Sequence, residues 1–169
     1  EGAQKTSRFI RLCDTFRIPI VSLVDEPGFL IGPDAERAGT ILHGTEAVLA
    51  TTESKVPWTT IMIRKSFGVA AAAHYGPDGY VLAWPSAESG PLPLEGGVAV
   101  AFKKEIASAK NPEAKRKELE EKMAKNQSPF PRAEAFSVHE IIDPRETRKY
   151  IALWAERIQS QLKASLMNR

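Results

Sequence analysis

The sequence has little of what disulfide frameworks and most metal sites are built from. Its 169 residues include one cysteine, Cys13, and three histidines that lie far apart along the chain. A single cysteine excludes an internal disulfide and a multi-cysteine metal site. Its position among apolar residues at helical spacing favours a buried, unreactive thiol. The histidine spacing fits no metal-ligand motif, so we expect no metal in this chain.

The sequence also lacks a large net charge and long apolar runs. The formal net charge is only +2, and no basic run is interleaved with aromatic residues, so we expect no nucleic-acid partner. No apolar run is long enough to span a bilayer and no secretory leader is recognisable, so we expect no membrane association. A cytoplasmic location, or the mitochondrial matrix in a eukaryotic cell, is the resulting expectation.

The length fits one domain over residues 1–169, long enough to bury a core. The chain begins without methionine and enters a helical pattern almost at once, which favours a fragment of a longer subunit. Short β-branched runs alternate with amphipathic stretches in the first half, which predicts an α/β fold with a mostly parallel sheet. Residues 112–169 are predicted to be mainly helical. The predicted helices cover residues 3–16, 35–53, 95–109 and 113–125 with a last one from Asp143, and the predicted strands cover 19–24, 58–63 and 79–84.

Two of the predicted strands end in glycine-containing turns, Asp25–Gly28 and Arg64–Gly68. Ligands of parallel α/β sheets bind beyond the carboxyl ends of the strands, and a helix that begins there presents free backbone amides. Phe67–Ala70 could therefore stabilise an oxyanion through its backbone. Tight packing explains the same small residues equally well, and both interpretations stay open.

Side-chain catalysts are not apparent. Asp25 and Glu26 are consecutive, so their side chains leave a strand in different directions. Asp25 is instead predicted to accept backbone amides and to fix the Pro27–Gly28 turn. Ser66 has no histidine placed to activate it, and phosphate-loop, dinucleotide and nucleophile-elbow motifs are missing. Structural roles are predicted for His43 and for His74, which lies nearer the proposed crevice, and nothing around His139 indicates a functional role.

Several segments occur together in a characteristic order and spacing: Phe9–Asp14, Ile18–Val21, Val24–Phe29, Gly39–Gly44, Val56–Pro57, Ile63–Gly68, Ala83–Pro85 and Asn126–Phe130. In these segments the chain resembles the carboxyltransferase (beta) subunits of biotin-dependent acyl-CoA carboxylases. The resemblance is best to the C-terminal half of that subunit and extends over nearly the whole chain.

The resemblance implies a crotonase-like ββα superhelix with a helical C-terminal segment. It implies an enzyme that moves a carboxyl group between biotin and the α-carbon of an acyl-CoA. In that family the amides that correspond to Val69 and Ala70 form an oxyanion hole for the ureido oxygen of biotin, which makes these two the expected catalytic residues. The expected cofactor-binding residues are Gly28 and Phe29 along the biotin channel, together with Gly68 and Ala72.

The same resemblance implies partners. They are an N-terminal carboxyltransferase half with a second oxyanion hole, a biotin carboxyl carrier and a biotin carboxylase component, in a homo-oligomer. Alone, this fragment would be inactive. Two alternatives stay open: a subunit of a biotin-dependent acyl-CoA decarboxylase, and a structural or assembly half-domain. A crotonase-type hydratase is less favoured, because no acidic pair is placed for it.

Three departures from the family pattern predict a divergent subgroup. Gly68–Ala70 stands where the family commonly has Gly-Gly-Ala, and Ala72 stands at an often acidic position. Ser89–Gly97 replaces a shorter M-G-x-x-G-A segment. The acyl chain and the direction of the reaction stay open.

Overall fold

Parallel strands form the centre of the computed structural model, which describes residues 1–167. The strands are β1 Ile20–Glu26, β2 Trp58–Phe67, β3 Tyr80–Ala83, β4 Glu88–Gly90 and β5 Glu140–Ile141. The sheet order is β1-β2-β3-β5, and β4 pairs with the end of β2. Each of these pairings is parallel. The predicted α/β fold with a parallel sheet is confirmed, and the two short strands β4 and β5 were not predicted.

The helices are α1 Gly2–Phe16, α2 Pro33–Arg37, α3 Thr40–Glu53, α4 Gly68–Ala72, α5 Leu94–Ala101, α6 Lys103–Ser108, α7 Pro112–Gln127, α8 Pro129–Glu134, α9 Thr147–Arg157 and α10 Gln159–Met167. The helix predicted over 35–53 is wrong in its continuity, because Gly39 adopts φ 70° between α2 and α3. The helix predicted over 95–109 is likewise divided, at Phe102. Asp143 caps a short 3₁₀ turn that precedes α9.

Strand β2 is four residues longer than predicted. Val24 pairs with Met62, but Glu26 then pairs with Ser66, so β2 carries two extra residues between these pairs. Such a bulge bends the strand and changes the direction of its side chains. The predicted turn at Arg64 is therefore wrong, and β2 continues past the bulge to Phe67, beside β4.

The core lies on both faces of the sheet. On one face, Ile10 and Cys13 of α1 pack with Ile20 and Trp58; burial raises the pKa of the Cys13 thiol, in agreement with its predicted inertness. On the other face, α9 covers Ile61 and Leu82. The predicted apolar face of α1 is only partly buried. Its remaining members are exposed: Phe9, Leu12 and Phe16.

Tyr80 and Glu140 join β3 to β5. Burial and a hydrogen bond donated at 2.5 Å to Glu140 raise the pKa of Tyr80 to about 12. We expect Tyr80 to ionise last among the tyrosines in an ultraviolet pH titration, and Glu140→Gln to lower its pKa towards 10. The folded state binds this proton more tightly, so the contribution to stability is complete below about pH 10 and is lost as pH rises through about 12. A Tyr80→Phe variant that retains the late transition would contradict the assignment.

Candidate active site

Three loops begin side by side at the carboxyl edge of the sheet. Glu26 at the end of β1 pairs with Ser66 of β2, and Gly90 at the end of β4 pairs with Phe67. The segments that follow β1, β2 and β4 therefore start next to one another. This edge is where ligands bind in parallel α/β sheets.

The turn from β2 into α4 depends on Gly68. Its φ of 63° is left-handed, and a Cβ at this position would lie 3.4 Å from the carbonyl oxygen of Pro91. Phe67 and Ala70 are 1% and 3% exposed and anchor the turn from inside, while Val69 is 65% exposed. The first amides of a helix have no carbonyl partner within it. The predicted catalytic pair thus combines a buried residue with a surface residue at the start of α4.

Glu26 fixes the loop after β1. The Gly28 amide donates a 3.0 Å hydrogen bond to Glu26 Oε1, and Gly28 has φ 128°. Asp25, which was predicted to hold this turn, instead accepts hydrogen bonds from the Lys65 amide at 3.2 Å and from the Arg64 guanidinium at 3.1 Å. The prediction of a backbone partner is correct, but the partner belongs to the neighbouring strand β2.

The pair of Asp25 and Arg64 ties the ends of β1 and β2 together. Their closest oxygen and nitrogen lie 3.0 Å apart, and the guanidinium holds the pKa of the Asp25 carboxyl below its usual range. Sequence reasoning assigned no role to Arg64 or Glu26. Opposite charges at the ends of two neighbouring parallel strands were the signal for the Asp25–Arg64 pair.

Phe29 lies over α3. The ring packs against Gly44 so closely that a Cβ at Gly44 would come within 2.3 Å of Phe29 Cζ. Phe29 is half-buried, whereas the next residues, Leu30 and Ile31, are 80% and 92% exposed. Because Gly44 has no side chain, the Phe29 ring packs directly on the α3 backbone and stays in place.

Replacing Gly44 with alanine should displace Phe29. Nonbonded carbons sit about 3.5–4.0 Å apart, so the ring must move by roughly 1 Å or more. We expect a crystal structure of Gly44→Ala to show the ring displaced, with faster protease cleavage within residues 27–32. In Phe29→Ala protein, where there is no ring to displace, adding Gly44→Ala should not accelerate cleavage further. A ring that stays in place would contradict the packing described.

All three histidines have hydrogen-bonding partners. His74 Nδ1 lies 3.3 Å from Ser22 Oγ, and burial lowers the pKa of His74. The other two rings contact α1 and β3: His43 Nε2 lies 3.3 Å from Gln4, and His139 Nδ1 accepts a hydrogen bond from the Val81 amide at 3.0 Å. Within residues 1–167, no group of three or more His, Cys, Asp or Glu side chains is placed to hold a metal ion. Over the same range, none of the helices has the length and apolarity needed to cross a bilayer.

The part of the Ser89–Gly97 segment that follows β4 forms the third side of the edge. Gln127 is 4% exposed, and its Nε2 donates a 2.9 Å hydrogen bond to the carbonyl of Leu92. A Cβ at Gly90 would contact both Phe67 and Gln127. This divergent segment is therefore held between the Gly68 turn and the end of α7.

The solved structures that match this chain are carboxyltransferases with the crotonase fold, and the parallel sheet with helix-start amides at its carboxyl edge agrees with that fold class. The sequence matches the carboxyl transferase domain over residues 1–168. The chain belongs to the carboxyl transferase domain family.

Relatives support this assignment. The carboxyltransferase subunit of propionyl-CoA carboxylase from Haloferax mediterranei is 38% identical, over 97% of this chain and 33% of the relative. Methylmalonyl-CoA decarboxylase subunit alpha from Propionigenium modestum is also 38% identical, over 89% of this chain and 30% of the relative. The structure of the transcarboxylase 12S hexamer with methylmalonyl-CoA matches with a TM-score of 0.81 and 37% identity, over 94% of this chain and 31% of that one. The chain spans about a third of the length of these relatives.

Proposed function

We propose that this chain is the biotin-binding half of an acyl-CoA carboxyltransferase, which moves a carboxyl group between biotin and the α-carbon of an acyl-CoA. Family membership over residues 1–168 supports the reaction class. The observation that carries the proposal is the Gly68 turn, where the start of α4 meets the loops after β1 and β4. A site made of backbone amides suits a reaction in which negative charge develops on a carbonyl oxygen.

Within this proposal, the amides of Val69 and Ala70 hold the ureido oxygen. Bound biotin would supply the nitrogen that carries the carboxyl group. Val69 in place of a family glycine keeps its amide, and its side chain is 65% exposed rather than packed in the core. The left-handed φ of Gly68 lets the chain turn sharply from β2 into α4. The amides are held in place before the reaction, so no reorganisation is needed as charge develops.

The remaining proposed binding residues surround this turn. Phe29 would offer biotin an aromatic surface, and Gly44 keeps its ring in position. Gly28, which has no side chain, would let the loop approach biotin closely. Gly68 and Ala72 are exposed at the two ends of α4. The small, apolar side chain of Ala72 leaves room for an acyl group. It supports an acyl group that is itself apolar near this position.

We also propose the partners of the complete subunit: an N-terminal carboxyltransferase half that supplies the acyl-CoA oxyanion hole, a biotin carboxyl carrier, a biotin carboxylase component and further copies of the subunit. The hexamer of the transcarboxylase relative supports the oligomer. Apolar side chains that are exposed on α1 and β1 support an interface with one of these partners. They include Phe9, Leu12, Phe16 and Leu23. Such residues are typical of interfaces. A cytoplasmic location is part of the same proposal.

The proposal is tested with the full-length subunit. We expect it to transfer labelled carboxyl from carboxylated biotin to an acyl-CoA, and to show no hydration of an enoyl-CoA. Hydration without any biotin-dependent transfer would overturn it. Because a decarboxylase subunit is among the relatives, the assay is also run from a carboxylated acyl-CoA to free biotin. A carboxyltransferase catalyses one equilibrium in both directions, so we expect transfer in this assay too, whichever direction the complete enzyme uses.

A further inference from the structure

Ser66 and Tyr75 lie on either side of α4 and contact each other. Ser66 Oγ and the Tyr75 hydroxyl are 2.7 Å apart, so residues that flank the Gly68 turn are joined by a hydrogen bond. Ser66 is 4% exposed. The Tyr75 ring packs against a core cluster that includes Met62, Val81 and Ala83. Because this core is close-packed, the position of the Tyr75 hydroxyl is fixed.

Helix α4 depends on such outside contacts. It has five residues, too few for a helix to be stable by itself. Its C-terminal end is anchored where Thr51 Oγ1 donates a 2.9 Å hydrogen bond to the carbonyl of Ala73. Its N-terminal end follows Ser66 and Phe67 directly. The bond between Ser66 and Tyr75 is therefore the side-chain hydrogen bond closest to the start of α4 among the described residues.

We propose that Tyr75, acting through Ser66, is a positioning residue that aligns the amides of Val69 and Ala70. The inference rests on the proposed function, since it concerns the same amides. Without this hydrogen bond the end of β2 becomes more mobile, and the amides of Val69 and Ala70 are no longer held in one orientation. Misplacement of a reacting group by about 1 Å can lower a rate up to 100-fold.

The chain offers matched controls for both residues. Ser89 pairs in register with Ser66 on the neighbouring strand and is 3% exposed, but its Oγ has no hydrogen-bond partner within the described part of the chain. Tyr80 donates a hydrogen bond to Glu140 at the opposite end of the sheet. Ser89→Ala and Tyr80→Phe therefore remove the same atoms without affecting the Gly68 turn.

The first test does not require activity. Hydrogen–deuterium exchange is measured on the full-length subunit over residues 67–73. We expect Tyr75→Phe and Ser66→Ala each to speed exchange there by roughly fivefold or more, because local opening becomes easier. Ser89→Ala and Tyr80→Phe should leave these amides unchanged. Equal exchange in the wild type and Tyr75→Phe would overturn the inference even if the proposed function holds.

The second test measures carboxyl transfer. We expect Tyr75→Phe and Ser66→Ala each to lower kcat about tenfold, with a smaller change in KM for the acyl-CoA, because the oxyanion hole for that group belongs to the other half. The double variant should be no slower than either single variant, since both remove one shared bond. Additive losses, or equal losses in Ser89→Ala and Tyr80→Phe, would overturn the inference. If the wild type transfers no carboxyl group, the proposed function fails, and the exchange result alone decides the positioning role.

Discussion

Val69→Pro should lower kcat for carboxyl transfer by roughly 100-fold or more in the full-length subunit, the effect of losing one oxyanion donor. Proline removes the amide hydrogen but tolerates the first turn of a helix, where that hydrogen has no partner within the helix. Val69 lies in the first turn of α4 and is 65% exposed, so the substitution does not open the core. Steady-state kinetics with carboxylated biotin measure the effect.

The control for this variant is Val69→Ala, which keeps the amide and should keep most of the activity. Ala70 is less useful, because it is 3% exposed and a large side chain there would disturb packing as well as the amide. Circular dichroism checks that Val69→Pro is folded. A folded Val69→Pro protein with wild-type kcat would show that this amide does not stabilise the transition state.

Gly76→Ala should have the largest effect on stability. A Cβ at Gly76 would lie 2.5 Å from both Cβ and Cγ of Trp58. These atoms are next to the Trp58 backbone, which begins β2 and pairs with Ile20 of β1, so they cannot move away as a side-chain tip could. Trp58 is 4% exposed, and its indole donates a 3.1 Å hydrogen bond to the His74 carbonyl. We expect a loss of about 3 kcal/mol, at the upper end of overpacking effects.

The loss is measured as a lower midpoint of thermal unfolding in the full-length subunit. Gly2→Ala is the control, because a Cβ at Gly2 meets nothing within 4 Å and alanine favours a helix. This variant should be as stable as the wild type or slightly more stable. Equal midpoints for Gly76→Ala and the wild type would mean that Trp58 can move aside, contrary to its place in the core.

Local patterns predicted most of the elements. The apolar periodicity found α1 and α3, and the helix predicted over 113–125 is confirmed as α7, which Asn111 caps by accepting a hydrogen bond from the Ala114 amide. The division at Gly39 was not predicted, because a glycine within a helical pattern is often tolerated. Strands β4 and β5 have three and two residues, too few to show a period. They form because the edges of β2 and β3 offer hydrogen-bonding groups, which no local pattern reveals.

In the candidate site, too, some features could be predicted from the sequence and others could not. The sequence by itself determined the family, the parallel sheet and the glycines Gly28 and Gly68 at which two strands turn, because these follow from residue type and spacing. Only the tertiary structure decided that Glu26 rather than Asp25 holds Gly28, that Gly44 supports Phe29, and that Tyr75 reaches Ser66. The contacts of Phe29 and Tyr75 join residues that a loop or a helix separates along the chain, and Asp25 is held instead by Arg64 and Lys65 of the neighbouring strand. Their partners are chosen by the path of the folded backbone, and a linear pattern does not contain that path.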